Sequence, residues 1–271
     1  MERAALSEQV ESTEWYHTLE LAPGVVTPGW FDTRAVISTL ESFPRSLAGK
    51  RCLDVGTFDG FWAFSMEQRG AAEVVAVDLL DPLQWDWPEN SSAEAIAAIG
   101  KRKGSGSGYE IAHHALGSSV TRHEISAYDL HPDLVGTFDF VYLGSILLHL
   151  RDPVRALTAV RSVCRPTGNV LSVDAIDLQL TITHPRQPAA TLDGAGRPWW
   201  WRPNVAGLVR MTEVAGFTAI GKPQRFFMPP GRGQPLAKLK PKMVWSKAGR
   251  DLALTIAKGD AHASVLLKPA R

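Results

Sequence analysis

The spacing of hydrophobic and polar positions changes repeatedly along this chain after residue 50. Short apolar runs typical of buried strands occur at residues 52–55, 74–77, 109–115, 138–143 and 170–173. Between them, residues 61–69, 153–165 and 204–215 place apolar side chains three or four positions apart, which predicts helices. Strands that alternate with helices in this way are typical of a parallel sheet with helices on both faces.

The end of the chain predicts a change of strand direction. Residues 217–220, 252–256 and 264–267 have the composition of strands, and Gly259-Asp260 between the last two is typical of a hairpin turn. We therefore expect an α/β fold that is Rossmann-like and doubly wound. Its mostly parallel seven-stranded sheet should end in an antiparallel closing strand.

The first 48 residues lack this alternation and contain turn-forming pairs such as Pro23-Gly24 and Pro28-Gly29. Only residues 34–43 show helical spacing there. We predict that residues 1–48 form an N-terminal helical cap and that residues 49–271 form the main domain. Insertions near residues 80–108 and 178–203 should face the substrate, and the glycine- and serine-rich residues 101–108 predict a flexible loop.

Composition narrows the class of protein. The 271 residues are 45% hydrophobic and 21% charged, and the net charge of +1 gives no reason to expect a nucleic-acid or membrane surface. Cys52 and Cys164 lack metal-ligand spacing and indicate a reducing compartment. No run approaches the ~20 apolar residues that a membrane span needs. We therefore expect a cytoplasmic protein.

A glycine-rich turn after the first predicted strand indicates a nucleotide pocket. Gly56 and Gly60 let the backbone bend sharply and approach a ligand, and Asp78 closes the next strand, where a carboxylate can bind both hydroxyls of a ribose. Asp54 and Asp59 flank the glycines, and such acids would repel a phosphate but attract an ammonium group. These features favour a ligand with a ribose, a positive centre and no phosphate, which describes S-adenosylmethionine (SAM).

The turn resembles the glycine-rich motif of class I SAM-dependent methyltransferases. Residues 136–153 also resemble the fourth-strand motif of a branch that includes the bacterial tRNA wobble-uridine carboxymethyltransferases. Two departures argue against carboxylated SAM, since Leu148 stands where that branch has a tyrosine and residues 25–30 contain no basic side chain. An unpaired carboxylate in a dry pocket would be costly, so the resemblance implies plain SAM and methyl transfer.

The resemblance also implies the residues of the cofactor site. The predicted cofactor-binding residues are Asp54, Gly56, Thr57, Asp59, Gly60, Asp78, Leu79, Ala127, Tyr128 and Gly144. We expect Asp54, Gly56, Asp59 and Gly60 at the methionine end, Asp78 and Leu79 at the ribose, and Tyr128 at the adenine. The alternative for Tyr128 is that it only packs against the sheet.

Histidines are the candidate general bases. His149 lies just past the fourth predicted strand, at the edge where open α/β sheets bind ligands, and the ordinary pKa of histidine suits proton removal near neutral pH. His17, in the cap, is a second candidate. Each has a structural alternative, in which the imidazole makes only a stabilising hydrogen bond.

Tryptophans provide candidate walls for an acceptor pocket. Trp30, Trp199 and Trp201 are the predicted substrate-binding residues, because aromatic rings suit a flat or apolar acceptor. Three consecutive tryptophans at 199–201 cannot all face one pocket, so at least one must serve packing or an interface. No metal site is predicted, because Asp174 and Asp177 are only two acids three positions apart.

These features favour a methyltransferase that acts on an O or N atom of a small acceptor, such as an aromatic product of secondary metabolism. A tRNA- or RNA-modifying enzyme is the first alternative and would use basic residues as a phosphate-binding face. Those residues are Lys101, Arg102, Lys103, Lys238, Lys240, Lys242, Lys247 and Arg250. A SAM-binding partner subunit without activity is the second alternative, and a homodimer is a further possibility that the sequence leaves open.

Overall fold

The computed structural model describes residues 2–103, 106–194, 198–236, 242 and 245–270. The strands are β1 (Glu20–Ala22), β2 (Val25–Val26), β3 (Arg51–Val55), β4 (Glu73–Asp78), β5 (Thr121–Glu124), β6 (Phe138–Gly144), β7 (Cys164–Ala175), β8 (Ala190–Leu192), β9 (Trp201–Pro203), β10 (Phe217–Met228) and β11 (Asp260–Pro269). The α-helices are α1 (Arg3–Ser12), α2 (Thr33–Thr39), α3 (Phe61–Gln68), α4 (Ala93–Lys103), α5 (Ser107–Leu116), α6 (Pro132–Val135), α7 (Pro153–Val163), α8 (Leu178–Thr183), α9 (Val205–Val214) and α10 (Lys247–Lys258). Short 3-10 helices occur at Pro82–Gln84 and Leu147–His149.

The central sheet has seven strands in the order β10-β11-β7-β6-β3-β4-β5. Strands β7, β6, β3, β4 and β5 run parallel, and β11 is antiparallel to both of its neighbours. The expected mostly parallel seven-stranded sheet with an antiparallel closing strand is therefore confirmed. After β3, the chain adds β4 and β5 on one side of that strand and then crosses back to add β6 on its other side. The direction in which strands are added therefore reverses between β3 and β6. Ligands of such sheets bind at this point, beyond the carboxyl ends of the strands.

Alternating side chains of β3 supply both faces of the core. Cys52 packs in a cluster with α1, α3 and α5, whereas Leu53 and Val55 pack with α7 and α9. Cys52 and Cys164 are both free and buried. Burial raises the pKa of the Cys52 thiol to about 12 and that of Cys164 to about 11, so both stay protonated and act as small apolar side chains.

The strand predicted at residues 109–115 is wrong, because these residues lie in helix α5. Tyr109 and Ala112, three positions apart, are its buried face, so the apolar run was a helical stripe. The third parallel strand is β5 instead, which starts at Thr121. The flexible loop predicted at residues 101–108 is also partly wrong, since α4 includes residues 101–103 and α5 begins at Ser107. Residues 104 and 105 lie outside the described part of the chain.

The strand predicted at residues 252–256 is wrong as well, because α10 covers that segment. The Ser246 hydroxyl accepts a hydrogen bond from the Gly249 amide at 3.0 Å and caps the helix. The Gly259-Asp260 pair therefore joins a helix to β11. The antiparallel partner of β11 is the long strand β10, which pairs with it from Phe217 to Met228.

The N-terminal residues cover the carboxyl edge of the sheet. They contain α1, the antiparallel pair β1 and β2, and α2, so the segment predicted as helical also includes a small hairpin. His17 and Phe31 form a parallel bridge, and Phe31 also pairs with Pro230 after β10. None of the helices in the described residues is long and apolar enough to cross a membrane.

Candidate active site

The glycine-rich loop lies where β3, β4 and β6 end. Gly56 has a φ of 77°, and Gly60, with a φ of 88°, precedes α3. The amides of Gly56 and Thr57 donate to the Val77 carbonyl at 2.8 and 3.2 Å, which fixes the loop to the end of β4. A Cβ on Gly56 would lie 2.8 Å from the Ile146 side chain, so this position requires glycine. The loop thus lies between the end of β4 and the segment that follows β6.

Asp54 and Thr57 stabilise the glycine-rich loop through buried hydrogen bonds. Asp54 is 1% exposed, and its Oδ2 accepts hydrogen bonds from the Thr57 hydroxyl at 2.7 Å and the Ala63 amide at 3.1 Å. Burial raises the pKa of Asp54 to about 7, although these hydrogen bonds oppose the shift. Direct cofactor contact by Asp54 and Thr57 was expected, but both side chains are buried and bind each other instead.

Asp59 and His17 join the cap to the glycine-rich loop. Asp59 Oδ2 accepts from the backbone amides of Tyr16 at 2.8 Å and His17 at 2.7 Å, and Oδ1 contacts His17 Nδ1 in a buried ion pair. Asp59 is 1% exposed and His17 is 5% exposed. Asp59 and His17 thus bind each other across two segments, and the roles expected of them, at the ammonium of the cofactor and as a base, stay predictions.

Asp78 is the acid that remains partly exposed at the edge of the sheet. Its carboxylate accepts from the Phe58 amide at 2.9 Å and the Leu79 amide at 2.8 Å. A carboxylate has about four lone-pair positions, so two ribose hydroxyls can bind beside these amides. The loop otherwise carries acids and aromatic rings, including Phe58 and Phe61, and this donor set fits a cation with a ribose and without phosphate.

Tyr128 lies in a hydrogen-bond network rather than on an open ring platform. Its hydroxyl donates to Asp86 in a short bond and accepts from the Asp152 amide at 3.0 Å. The Arg155 guanidinium lies 4.9 Å from its ring centre. The packing alternative fits this network, and the stacking of Tyr128 on adenine stays a prediction. Ala127 is 6% exposed and packs in the core beside it.

Gly144 and Leu79 complete the predicted cofactor residues. A side chain on Gly144 would collide with the Tyr142 ring and hydroxyl beneath it, so glycine is needed at the end of β6. Leu79 follows Asp78, and its carbonyl accepts the Trp85 indole N–H at 3.2 Å. Both residues stand at the carboxyl edge of the sheet, beside the switch point.

His149 lies in the 3-10 helix that follows β6. Its Nδ1 is 2.7 Å from the Pro198 carbonyl, which can only accept, so Nδ1 carries the proton and Nε2 carries the lone pair. The imidazole is partly buried, and its centre lies 6.4 Å from the Trp199 ring. This tautomer is the one that a base acting through Nε2 needs.

The predicted aromatic residues occupy separate places. Trp30 lies 5.8 Å from the Tyr16 ring, on the cap. Trp199 is 36% exposed beside His149, and the Trp201 indole N–H donates to the Arg151 carbonyl at 3.0 Å. A cavity of about 740 Å³ is lined by Val10, Val25 and Pro230 among others, and none of these three tryptophans lines it.

Asp174 and Asp177, the acids weighed as a metal site, are engaged elsewhere. Asp174 accepts from the Leu147 and Ala175 amides at 2.8 and 2.9 Å, and Asp177 caps α8 through the Leu180 amide. In the described residues, no group of three or more His, Cys, Asp or Glu side chains is arranged to hold a metal ion.

The doubly wound sheet, the glycine-rich loop at its switch point and the acid at the end of β4 define a SAM-dependent methyltransferase with SAM as its cofactor. The family described as "Methyltransferase domain" matches residues 31–218, and the chain belongs to this family. The expected class of enzyme is thereby confirmed.

Curated relatives are more distant than the family match. The chain is 28% identical over 143 residues to the ubiquinone biosynthesis O-methyltransferase of Pseudomonas aeruginosa, covering 52% of this chain and 47% of the relative. It is also 28% identical over 141 residues to the enzyme of the same name from Acinetobacter baumannii, covering 52% and 46%. The chain thus spans about half the length of the curated relatives that it matches.

Solved structures resemble the whole chain in fold. The N-terminal domain of EvdMO1, solved with SAH bound, has a TM-score of 0.55 at 14% identity, covering 100% of this chain and 98% of that one. The [4+2]-cyclase SpnF has a TM-score of 0.53 at 16% identity, covering 98% and 93%. At these identities the likeness concerns the fold alone.

Proposed function

We propose that the chain transfers a methyl group from SAM to an O or N atom of a small-molecule acceptor. The observation that best supports this proposal is the group of aromatic side chains packed against the glycine-rich loop. The Tyr16 ring lies 5.1 Å from Phe58 on the loop, 5.2 Å from Phe31 and 5.8 Å from Trp30. Aromatic side chains beside the glycine-rich loop suit a compact, flat acceptor. The O-methyltransferase names of the relatives at 28% identity agree with it.

SAM, when bound, supplies the methyl group on a sulfonium. Gly56 and Gly60 would let the backbone approach it, and Asp78 would hold the ribose with Leu79 beside it. Gly144 leaves room at the end of β6. The protein then mainly has to align the acceptor with the methyl group and exclude water. Trp199 and Trp201 remain proposed contacts for the acceptor.

An acceptor O–H or N–H must lose its proton during transfer. Of the two histidines predicted as bases, His17 is held by Asp59, which leaves His149. The His149→Ala variant should lower kcat by a factor of about 100 or more if His149 is the base, while SAM affinity stays within about twofold. An equal loss of both would instead mark His149 as structural.

Three predictions concern the setting of this activity. The division at residue 48, a homodimer and a cytoplasmic location all stay predictions, as does the finer resemblance to the tRNA wobble-uridine branch.

The RNA alternative relies partly on Lys238 and Lys240, which lie outside the described residues. It also relies on the side chains of Arg102, Lys103 and Lys247, which are likewise not described.

Methyl-labelled SAM separates the candidate functions. The chain would be incubated with panels of small phenols and amines, and in parallel with total tRNA, at low and high ionic strength. We expect label in a small acceptor, with little salt dependence. Label in RNA that declines steeply with salt would contradict the proposal, because phosphate contacts release counterions. Tight SAM binding without any labelled product would favour the partner-subunit alternative.

A further inference from the structure

Ser145 holds an unusual backbone conformation beside the glycine-rich loop. It follows Gly144 at the end of β6 with a φ of 51°, and its amide donates to the Val173 carbonyl at 2.7 Å. A non-glycine residue in the left-handed region costs roughly 1 kcal/mol or more, so glycine would be the easier residue here. Its neighbour Ile146 is the residue that touches Gly56. A strained, partly exposed serine at the switch point indicates that its hydroxyl has a use.

His262 lies directly behind this hydroxyl. It stands on β11 beside Ala175 and is 3% exposed. Its Nδ1 is 3.0 Å from the Asp260 carbonyl, which can only accept, so Nδ1 carries the proton. Nε2 therefore carries the lone pair, and the Ser145 hydroxyl donates to it at 3.2 Å. The Phe226 ring stacks on the imidazole with centres 5.9 Å apart.

Burial lowers the pKa of His262, so the imidazole is neutral near neutral pH. Asp260 on its own strand opposes this shift, and Arg202 on the neighbouring segment β9 adds to it. A neutral, desolvated imidazole with a fixed tautomer can accept a proton at Nε2. Ser145 is therefore the donor, and His262 the acceptor, of the hydrogen bond between them.

Burial of Tyr16, which lies on the cap, raises its pKa far above its usual value, and Asp260, Asp174 and Asp59 add to this shift. The phenol therefore stays protonated. Burial disfavours charged groups in these surroundings, so it also disfavours an acceptor that arrives as an anion. An acceptor that arrives with its proton suits this environment.

We propose that Ser145, backed by His262, accepts the proton of a neutral O–H or N–H acceptor during methyl transfer. This inference rests on the proposed methyl transfer and assigns proton removal to Ser145 and His262, with His149 as the competing base that the pH profile separates from them. As the acceptor atom bonds to the methyl carbon, the carbon–sulfur bond breaks and its electron pair stays on sulfur. The acceptor proton passes to Ser145 Oγ while the Ser145 proton passes to His262 Nε2. The imidazolium that forms returns its proton to water after product release.

Variants of each residue test this relay through turnover. His262→Gln can still accept the Ser145 hydrogen bond but cannot take a proton, so we expect kcat to fall about 100-fold or more with SAM affinity within about twofold. His123→Gln, the same change at an exposed histidine on β5, is the matched control and should match the wild type. Ser145→Gly removes the hydroxyl and relieves the positive φ, so wild-type turnover in this variant would overturn the proposal.

The pH profile separates His262 from His149. Wild-type kcat should decline as pH falls and His262 becomes charged, and this decline should persist in His149→Gln but vanish in His262→Gln. The reverse pattern would overturn the relay and restore His149.

A magnetic resonance titration of His262 needs no acceptor and therefore stands apart from the proposed function. We expect a neutral imidazole near neutral pH with the proton on Nδ1. A proton on Nε2, or a charged ring at neutral pH, would overturn the relay even where no acceptor has been found. Absence of turnover in the wild type, with the expected tautomer present, would instead count against the proposed function.

Discussion

Three acids near the glycine-rich loop have different roles because their surroundings differ. Asp54 and Asp59 are each 1% exposed and bind groups of the protein itself, whereas Asp78 stays partly exposed at the end of its strand. A carboxylate that is buried and fully hydrogen-bonded stabilises a loop, while an accessible one can bind hydroxyls. Residue type alone predicted all three as ligand contacts, and burial distinguishes them.

Gly56→Ala should reduce both stability and SAM affinity. Alanine at a φ of 77° is strained, and its Cβ would also lie 2.8 Å from the Ile146 side chain. Gly49→Ala is the matched control, since Gly49 has a φ of 71° with nothing within 4 Å of the added Cβ. We expect a loss of about 1 kcal/mol for the control by urea unfolding, and a larger loss with weaker SAM binding for Gly56→Ala. Equal effects of the two would show that the Ile146 contact is unimportant.

Position along one strand was enough to predict that the glycine-rich turn and Asp78 lie at the ends of two neighbouring strands, whereas their contacts with the cofactor stay predictions. Gly56, Gly60 and Asp78 are separated by short stretches whose periodicity can be read directly. Ser145 and His262 are 117 positions apart and meet only because β11 returns beside β7. Neither the φ of Ser145 nor the burial of His262 leaves a pattern in the sequence.

At the scale of elements, Asp174 connects β7 to the segment that follows β6. Its carboxylate binds the Leu147 and Ala175 amides, and burial raises its pKa from 3.8 to about 7. A raised pKa means that the folded state holds the proton more tightly than the unfolded state. The resulting stability is fully present below about pH 4 and is lost as pH rises through about 7.

Asp174→Asn should therefore flatten this pH dependence. A shift of about three pKa units corresponds to a stability change on the order of 4 kcal/mol, and Asp54, with a pKa of about 7, adds a similar slope. The free energy of unfolding, measured by urea at several pH values from 4 to 7, should fall less in the variant than in the wild type. Asp133→Asn, at an exposed acid, is the control. An unchanged slope in Asp174→Asn would contradict the raised pKa.

Element prediction failed where an apolar run was ambiguous. Residues 109–115 contain one isoleucine and two alanines, residues 252–256 contain two leucines and one isoleucine, and both segments lie in helices. Short apolar runs fit a strand and a buried helix equally well until capping decides. The Ser246 cap before α10 was the available signal. Strands flanked by clear glycine turns, such as β3 and β6, were placed correctly.

At the scale of the molecule, the cap is attached through a buried ion pair. His17 and Asp59 join the cap to the loop before α3, and the amides of Tyr16 and His17 add to the same carboxylate. Asp86 connects two segments outside the cap. Its carboxylate accepts a hydrogen bond from the Arg151 amide, and its backbone carbonyl accepts one from the Trp200 indole N–H. The two segments predicted as insertions thus meet beside the site.

His17→Ala should loosen the cap as a unit. Removing one partner of a buried pair costs about 3–5 kcal/mol, whereas breaking an exposed pair costs about 0–1. Arg34→Ala, which breaks the exposed pair with Asp32 in the same cap, is the matched control. We expect faster limited proteolysis within the first 48 residues and weaker SAM binding for His17→Ala only. Equal resistance of the two variants to proteolysis would contradict the role of His17 in anchoring the cap.

Calorimetric titration with SAM tests the central claim most directly. The wild type should bind one SAM per chain, and Asp78→Asn should bind it at least about tenfold more weakly, because the ribose hydroxyls lose a charged acceptor. Glu73→Gln is the control, as Glu73 lies at the opposite end of β4 and pairs with Arg51 on the surface. It should bind SAM like the wild type. Wild-type affinity in Asp78→Asn, or no binding by the wild type, would contradict the account.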